Sequence, residues 1–361
     1  MNIIIAGGGT GGHLFCGIAV YECLKGRVDV ACEVRFIGSK TGLEAEVLPK
    51  LDIPVSFIPV VKPRSSGVIG RIKSLMILPI SILSSIGHLR RVRPDIVLGV
   101  GGYASGPVVL AAILLGIPTS LIEQNAVAGF TNRVLGRWTK KVFLGLPGAE
   151  SAFRKRDVEF VGNPVRESLV GLPPVDTVPG PFTVLVFGGS QGARRINELV
   201  TGSLGMLGSL KNDVRFLHIT GEHDHAWVSR AYRSESVVAE VLEFTDDMSE
   251  LYARAHFVIA RSGALTVSEL AAAGRGALLV PYPYAVDDHQ AANAGYLSEA
   301  DAALMIRQNE LTERKMADLL IEMINDPKKF IHMGQRAKER STPDAARHIA
   351  DWLVKRGATA S

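Results

Sequence analysis

Met1–Gly12 reads MNIIIAGGGTGG, a β-branched run that passes directly into glycines. Asn2–Ala6 predicts a strand, GGGTGGH (Gly7–His13) a loop, and Leu14–Lys25 a helix. The pattern returns in mid-chain, where Phe182–Phe187 predicts a strand, GGSQGAR (Gly188–Arg194) a loop, and Arg195–Leu210 a helix. One such unit per half predicts an α/β fold of two doubly wound, Rossmann-like domains. The length agrees, since 361 residues at roughly 150 per domain suggests two.

Further strands are expected at Val34–Ile37, Val55–Pro59, Ile96–Val100, Ser120–Ile122 and Val142–Leu144. In the second half they are expected at Arg215–Ile219, Val241–Phe244, Phe257–Ala260 and Gly276–Pro281. Helices fall between them, as at Glu269–Ala273 and Leu311–Ile324. Continuous apolar strands indicate a sheet buried on both faces. Pro173, Pro174, Pro179 and Pro181 make Gly162–Pro181 the expected linker. The domains are expected at 1–163 and 164–340, with a C-terminal helix in 341–361.

Hydrophobic residues at 47% and charged residues at 21% exclude a disordered chain. A net charge of +4 is too weak to indicate nucleic acid, and none is expected as a partner. Cys16, Cys23 and Cys32 lack CxxC spacing and read as reduced, structural thiols. No basic segment precedes the opening apolar run, so no signal peptide is expected. Ile96–Ile122 is uncharged and long enough to span a bilayer, but its glycines and prolines divide it into strand, loop, helix and strand.

A glycine loop between strand and helix lets backbone approach a phosphate, and the helix N-terminus supplies N–H groups. Gly7–Gly12, Gly99–Gly106 and Gly188–Gly192 all follow strands. A dinucleotide enzyme would carry an acidic residue at the end of the second strand. Gly38, Ser39 and Lys40 stand there instead, with Glu33 before the strand, so that reading is poorly supported. RSGALTVSEL (Arg261–Leu270) offers a second anion site, with helix-start N–H groups for diphosphate and Glu269 for a ribose diol. Its plainer reading is a serine cap with an acidic first turn.

Taken together, the chain resembles the MurG glycosyltransferases of peptidoglycan synthesis. The resemblance rests on GGGTGGH at Gly7, GVGGYASGP at Gly99, EQNAVAGFTNR at Glu123 and GNPVR at Gly162. It continues through FGGSQGAR at Phe187, EFTDDM at Glu243, RSGALTVSELAAAG at Arg261 and DDHQAANA at Asp287. It implies a GT-B architecture with an interdomain cleft, the C-terminal helix packing back on the first domain. It implies an inverting transfer of N-acetylglucosamine from UDP-N-acetylglucosamine to undecaprenyl-pyrophosphoryl-N-acetylmuramyl-pentapeptide. The product would be lipid II, formed on the cytoplasmic face of the inner membrane by a peripheral enzyme without a cofactor.

By the same resemblance, Thr10, Gly11 and Gly12 approach the donor sugar and diphosphate, and Asn125 the sugar hydroxyls. Arg166 and Ser190 lie near the diphosphate and nucleoside. Phe244 and Thr245 hold uracil, although the family commonly has an aliphatic residue in place of Thr245. The turn Ala264, Leu265, Thr266, Val267, Ser268, Glu269 binds phosphate and ribose, and Gln290 meets sugar hydroxyls. His13 is a candidate general base, or alternatively a residue packing the loop. Glu123 is the second candidate in the catalytic set.

Neither a DxD sequence nor a convincing metal cluster is present, and His223–Asp224–His225 reads as a solvated turn. Independently of the resemblance, residues 53–94 hold no acid but do hold Lys62, Arg64, Arg71, Lys73, Arg90, Arg91 and Arg93. These flank an apolar stretch with Leu75, Met76, Ile77, Ile80, Ile82 and Leu83, suiting an anionic membrane surface. Arg133, Arg137, Lys140 and Lys141 are expected to extend that surface. The plainer alternative is an ordinary core helix with solvated ends, and Pro79 makes a long amphipathic helix less tidy. Rival functions are another GT-B UDP-sugar enzyme (a lipid glucosyltransferase or a UDP-N-acetylglucosamine 2-epimerase) and a non-catalytic membrane scaffold.

Overall fold

The opening β-branched run forms β1 (Asn2–Ala6) at the middle of a parallel sheet. The computed structural model describes residues 1–60, 67–153, 157–189 and 192–358, with backbone only at 67–75. Contacts divide it into two units: Met1–Val165 together with the stretch beginning at Pro343, and Arg166–Thr342.

In the first unit β1 is followed by β2 (Glu33–Ser39), β3 (Val55–Ile58), β4 (Ile96–Gly99), β5 (Thr119–Glu123), β6 (Lys141–Leu144) and β7 (Val158–Phe160). Their spatial order is β3-β2-β1-β4-β5-β6-β7. All pairings are parallel, with Ile4 opposite Arg35 on one side and Val97 on the other. The helices are α1 (Gly11–Lys25), α2 (Glu44–Lys50), α3 (Gly67–Val92), α4 (Ser105–Leu114) and α5 (Phe130–Leu135).

The second unit contains β8 (Phe182–Phe187), β9 (Val214–Ile219), β10 (Val238–Leu242), β11 (Phe257–Ala260), β12 (Gly276–Leu279) and β13 (Ala303–Met305). Their order is β10-β9-β8-β11-β12-β13, again all parallel. Around them lie α6 (Glu167–Val170), α7 (Arg194–Ser203), α8 (His225–Ser234), α9 (Met248–Arg254), α10 (Ala264–Ala273), α11 (His289–Ser298), α12 (Glu313–Asn325) and α13 (Pro327–Glu339). The last helix, α14 (Ala345–Ala358), packs on α1 of the first unit.

Alternation along each strand sends side chains to opposite faces of the sheet. Ile3 and Ile5 join the core under α1 and α14, with Leu14, Ile18, Ile349 and Leu353. Ile4 and Ala6 join the core under α3, α4 and α5, with Val108, Ala112 and Leu135. Trp352 of α14 sets its ring edge-on to Phe143, with centroids 5.5 Å apart.

In each unit the strand order reverses beside the first strand, between β1 and β4 and between β8 and β11. Loops at such a reversal diverge to opposite faces and leave a crevice at the carboxyl edge, the usual ligand position in open α/β sheets. Both glycine loops and the Arg261–Leu270 segment stand at these two places.

α3 runs through Pro79 to Val92 as one helix. One expectation is corrected by the fold. Lys141 does not extend the basic surface; its buried ammonium pairs with Asp157 and Glu159, each at 2.7 Å.

Candidate functional site

The first-unit loop is shaped by glycine. Gly7, Gly8 and Gly9 have φ of +140°, +138° and +87°, a region L side chains rarely adopt. Their amides are already engaged: Gly7 N–H donates to Ile37 O at 3.0 Å, Gly8 N–H to Gly101 O at 3.2 Å, and Gly9 N–H to the Glu44 carboxylate at 2.5 Å. Of this loop only the start of α1, at Gly11 and Gly12, presents amides without an intrahelical acceptor.

Thr10 is exposed, and its Oγ1 lies 2.8 Å from His13 Nδ1. That contact orients the imidazole and leaves Nε2 as the other ring nitrogen. The ring lies against the second glycine loop, and a Cβ at Gly101 would stand 2.5 Å from His13 Cδ2 and 2.8 Å from Nε2. His13 is therefore seated where the loops after β1 and β4 meet.

Glu123, at the end of β5, is almost wholly buried. Its carboxylate accepts from Asn125 N–H at 3.1 Å, Gly129 N–H at 2.9 Å and Asn132 Nδ2 at 2.9 Å. Asn125 Nδ2 adds a longer bond at 3.3 Å. Burial raises its pKa, and these donors oppose the rise. The arrangement spends Glu123 on holding the loop that carries Asn125.

In the second unit, α10 starts at Ala264 after Gly263, directly beyond β11. Val267 N–H returns to Gly263 O at 3.0 Å, and the Ser268 hydroxyl to Ala264 O at 3.1 Å. Val267 is fully buried. The helix-start amides that precede this first return bond are those of Ala264, Leu265 and Thr266. The buried Ser262 hydroxyl beside them has no protein partner.

Glu269 is buried one turn further on, and burial pushes its pKa up to about 7. The Arg166 guanidinium and the Tyr252 hydroxyl pull it back down, by less than burial raises it. Arg166 itself donates to Asp246 O at 3.1 Å. Phe244 and Thr245 precede α9, where Asp247 caps the helix by accepting from Ser249 and Glu250 N–H. Phe244 is exposed, while Thr245 Oγ1 accepts from Asp247 N–H at 3.1 Å. Gln290 Oε1 accepts from Tyr282 N–H at 2.9 Å, which turns its amide NH2 outward as a donor. Ser190 lies outside the described residues.

Sequence reasoning passed over three groups here. Arg261 holds the turn before Gln290 by donating to Val280 O and Pro281 O, with its guanidinium 5.5 Å from the Tyr282 ring centroid. Tyr252 stands beside Glu269. Glu44 fills the first loop. The signals were present only as an arginine, a tyrosine and a glutamate in ordinary contexts. His223–Asp224–His225 needs correction as well: Asp224 is buried, accepting from Asn197 Nδ2 and Trp227 Nε1 at 2.9 Å each. Among the described residues no side-chain group forms a metal-ligand cluster.

The outer face of α3 is apolar. Met76 is 71% exposed and Leu83 67%, with Leu78 and Ile80 also exposed. Ile77 and Ile82 are half-buried, and Ile82 packs on the core. The inner face carries Ser81, Ser85 and Leu89. Ser81 Oγ bonds Ile77 O and Pro59 O, and Ser85 Oγ bonds Ser81 O, so these hydroxyls are satisfied inside. The side chains of Lys73 and Leu75 lie outside the described residues. α3 packs along α4, and α4 against α5. Exposed Leu114 ends α4, and exposed Phe130 and Trp138 lie at and beyond α5, with Arg133, Arg137 and Lys140 around them. No helix among the described residues is long and apolar enough to cross a membrane.

Comparison with known proteins follows the two units. Residues 3–144 match the glycosyltransferase family 28 N-terminal domain, and residues 183–349 the family 28 C-terminal domain. The chain is 45% identical over 355 residues to the UDP-N-acetylglucosamine--N-acetylmuramyl-(pentapeptide) pyrophosphoryl-undecaprenol N-acetylglucosamine transferase of Myxococcus xanthus (strain DK1622). That alignment covers 98% of this chain and 92% of the relative. The crystal structure of Acinetobacter baumannii MurG superposes with a TM-score of 0.78 at 31% identity, covering 98% and 99% of the two chains. A Neisseria meningitidis UDP-GlcNAc 2-epimerase bound to UDP-GlcNAc gives 0.70 at 15% identity, covering 98% and 100%, a likeness of fold alone.

Proposed function

This chain belongs to glycosyltransferase family 28, and from that premise we infer its reaction. It transfers N-acetylglucosamine from UDP-N-acetylglucosamine to the 4-hydroxyl of the muramyl sugar of lipid I, forming lipid II of peptidoglycan synthesis. The near-full-length match to the Myxococcus transferase carries this reading. The epimerase alternative rests on fold alone.

The donor belongs to the second unit. The amides of Ala264, Leu265 and Thr266 receive the diphosphate, whose charge rises as UDP leaves, and fixed donors there cost no reorganisation. Glu269 accepts from the ribose hydroxyls, Phe244 and Thr245 flank uracil, and Arg166 lies near the diphosphate. Gln290 donates to the sugar. On the first unit His13, oriented by Thr10, removes the proton from the attacking 4-hydroxyl through Nε2. The hydroxyl oxygen attacks the anomeric carbon as the bond to the diphosphate oxygen breaks, which inverts the centre. Glu123 acts by holding Asn125 toward the sugar.

The acceptor is lipid-linked, and the outer face of α3 suits a peripheral contact with the anionic cytoplasmic surface of the membrane. Exposed Met76, Leu78, Ile80 and Leu83, lying outside a buried face that already holds Ser81, Ser85 and Leu89, make an apolar surface that water alone would not favour.

Labelled N-acetylglucosamine transfer to a lipid-linked muramyl-pentapeptide, with chelator present, tests the whole reading. Label in the lipid product is expected. UDP release without acceptor, accompanied by an inverted carbon 2, would move the protein to the epimerases. Donor binding without turnover on any lipid acceptor would leave the scaffold reading.

A further inference from the structure

A buried carboxylate sits in the first glycine loop and plays no part in the chemistry above. Glu44 opens α2 and has no exposed surface. Its Oε1 accepts from Ser39 N–H at 2.8 Å, and its Oε2 from Gly9 N–H at 2.5 Å. Ser39 ends β2, and Gly9 follows β1, so one carboxylate ties two adjacent strand ends together.

Three glycines make room for it. A Cβ at Gly8 would stand 2.6 Å from Glu44 Cδ, one at Gly38 2.5 Å from Cγ, and one at Gly42 would overlap Oε2. Successive backbone N–H groups in a glycine turn form a concavity that binds anions, which is how such loops hold phosphate. Here the Gly9 amide of the loop and the Ser39 amide meet an anion that belongs to the protein, while Gly7 and Gly8 N–H go to backbone carbonyls. No side-chain cation faces it in a recorded ion pair or side-chain hydrogen bond among the described residues, so backbone donors hold it.

We propose that Glu44 is a positioning residue that takes the place of a phosphate in the first glycine loop, fixing the turn that presents Thr10 and His13. With Gly9 N–H committed to Glu44 and those of Gly7 and Gly8 to backbone carbonyls, substrate phosphate is excluded from these three amides. Thr10 follows Gly9 directly, so a shift at Gly9 moves the Thr10–His13 pair. Misplacing a reacting group by about 1 Å can cost on the order of a hundredfold in rate.

The kinetic part of the test rests on the transferase reading; the binding part does not. Glu44→Ala vacates the nest, and UDP at saturation keeps the second unit's anion site filled. The melting temperature of Glu44→Ala should then rise on adding inorganic phosphate or acetate, whereas the parent protein should not respond. In turnover, Glu44→Ala should lose roughly ten- to a hundredfold in kcat with donor KM nearly unchanged, and acetate should restore part of kcat. If Glu44→Ala does not fold, Glu44→Gln keeps the shape but sets an NH2 against an N–H, and the same kcat loss is expected. Unchanged kcat in a folded variant overturns the proposal. So does a melting temperature that ignores both anions, or a loss that acetate leaves intact while donor KM rises in parallel.

Discussion

The strand reversals of the two units are built alike and filled differently. At β1/β4 the glycine loop is closed: Gly8 has no room for a Cβ, and Glu44 at the start of α2 accepts from Gly9 N–H. At β8/β11 a Cβ would overlap Ala193 Cβ at Gly188 and Thr220 O at Gly192, while at Gly189 it would meet nothing among the described residues. The acid in the corresponding place after β9, Asp224, turns instead to the side chains of Asn197 and Trp227. The same supersecondary unit is thus held once by a carboxylate on its glycine backbone and once with the carboxylate turned to side chains. Glycine after a strand allows a close approach of backbone; it does not say whether a ligand or the protein makes that approach.

The comparison breaks or sharpens by experiment. His13→Ala carries the largest expected effect, a fall in kcat of about 10²–10⁴ with donor KM within about twofold. Steady-state transfer with both substrates varied reads it, and a rise in donor KM of similar size would place His13 at the donor instead.

Glu269→Ala should raise donor KM by roughly ten- to a hundredfold, the worth of charge-assisted hydrogen bonds lost to a buried carboxylate. Its pH signature distinguishes it from a packing defect. Burial raises the Glu269 pKa from 4.5 to about 7, so the folded unit prefers the protonated form. That preference stabilises the fold fully below the unfolded pKa and is lost as pH rises through the folded one. At pH 8 Glu269→Gln should therefore be the more stable protein, by up to about 3 kcal/mol, with little gain at pH 4. Denaturant melts of the unliganded chain at the two pH values check it. Donor affinity should move the opposite way and weaken as pH falls through 7, because ribose hydroxyls need the carboxylate as acceptor.

A smaller effect is expected at the membrane face. Met76→Glu with Leu83→Glu should weaken binding to anionic vesicles about tenfold, since each side chain inserts only in part and forgoes a fraction of the ~1.5–3 kcal/mol that full burial gives. The smallest is Lys141→Met: its ammonium is spent on Asp157 and Glu159, so vesicle binding should not change. A loss there would return Lys141 to the basic surface.

Much of this was legible in the chain. The two glycine repeats located β1 and β8, and the apolar run Phe257–Ala260 located β11, because buried parallel strands are continuous and β-branched. Shorter edge strands were not. Val158–Phe160 and Ala303–Met305 have three residues each, too few for a period, and β10 lies three residues before its expected start. The helix α10 begins at Ala264, inside the Arg261–Leu270 segment where helix-start amides were expected.

Local order along the chain determined the repeated strand, loop and helix, the motifs that resemble a glycosyltransferase, and the acid-free basic stretch at 53–94. These depend on residues near one another in sequence, where period and backbone freedom act. Only tertiary structure decided which acids are spent and which are open. Glu44, Glu123, Asp224 and Glu269 look alike in the sequence. Their roles diverge because burial withdraws water from each carboxylate, and only the neighbours brought in by folding supply its replacement.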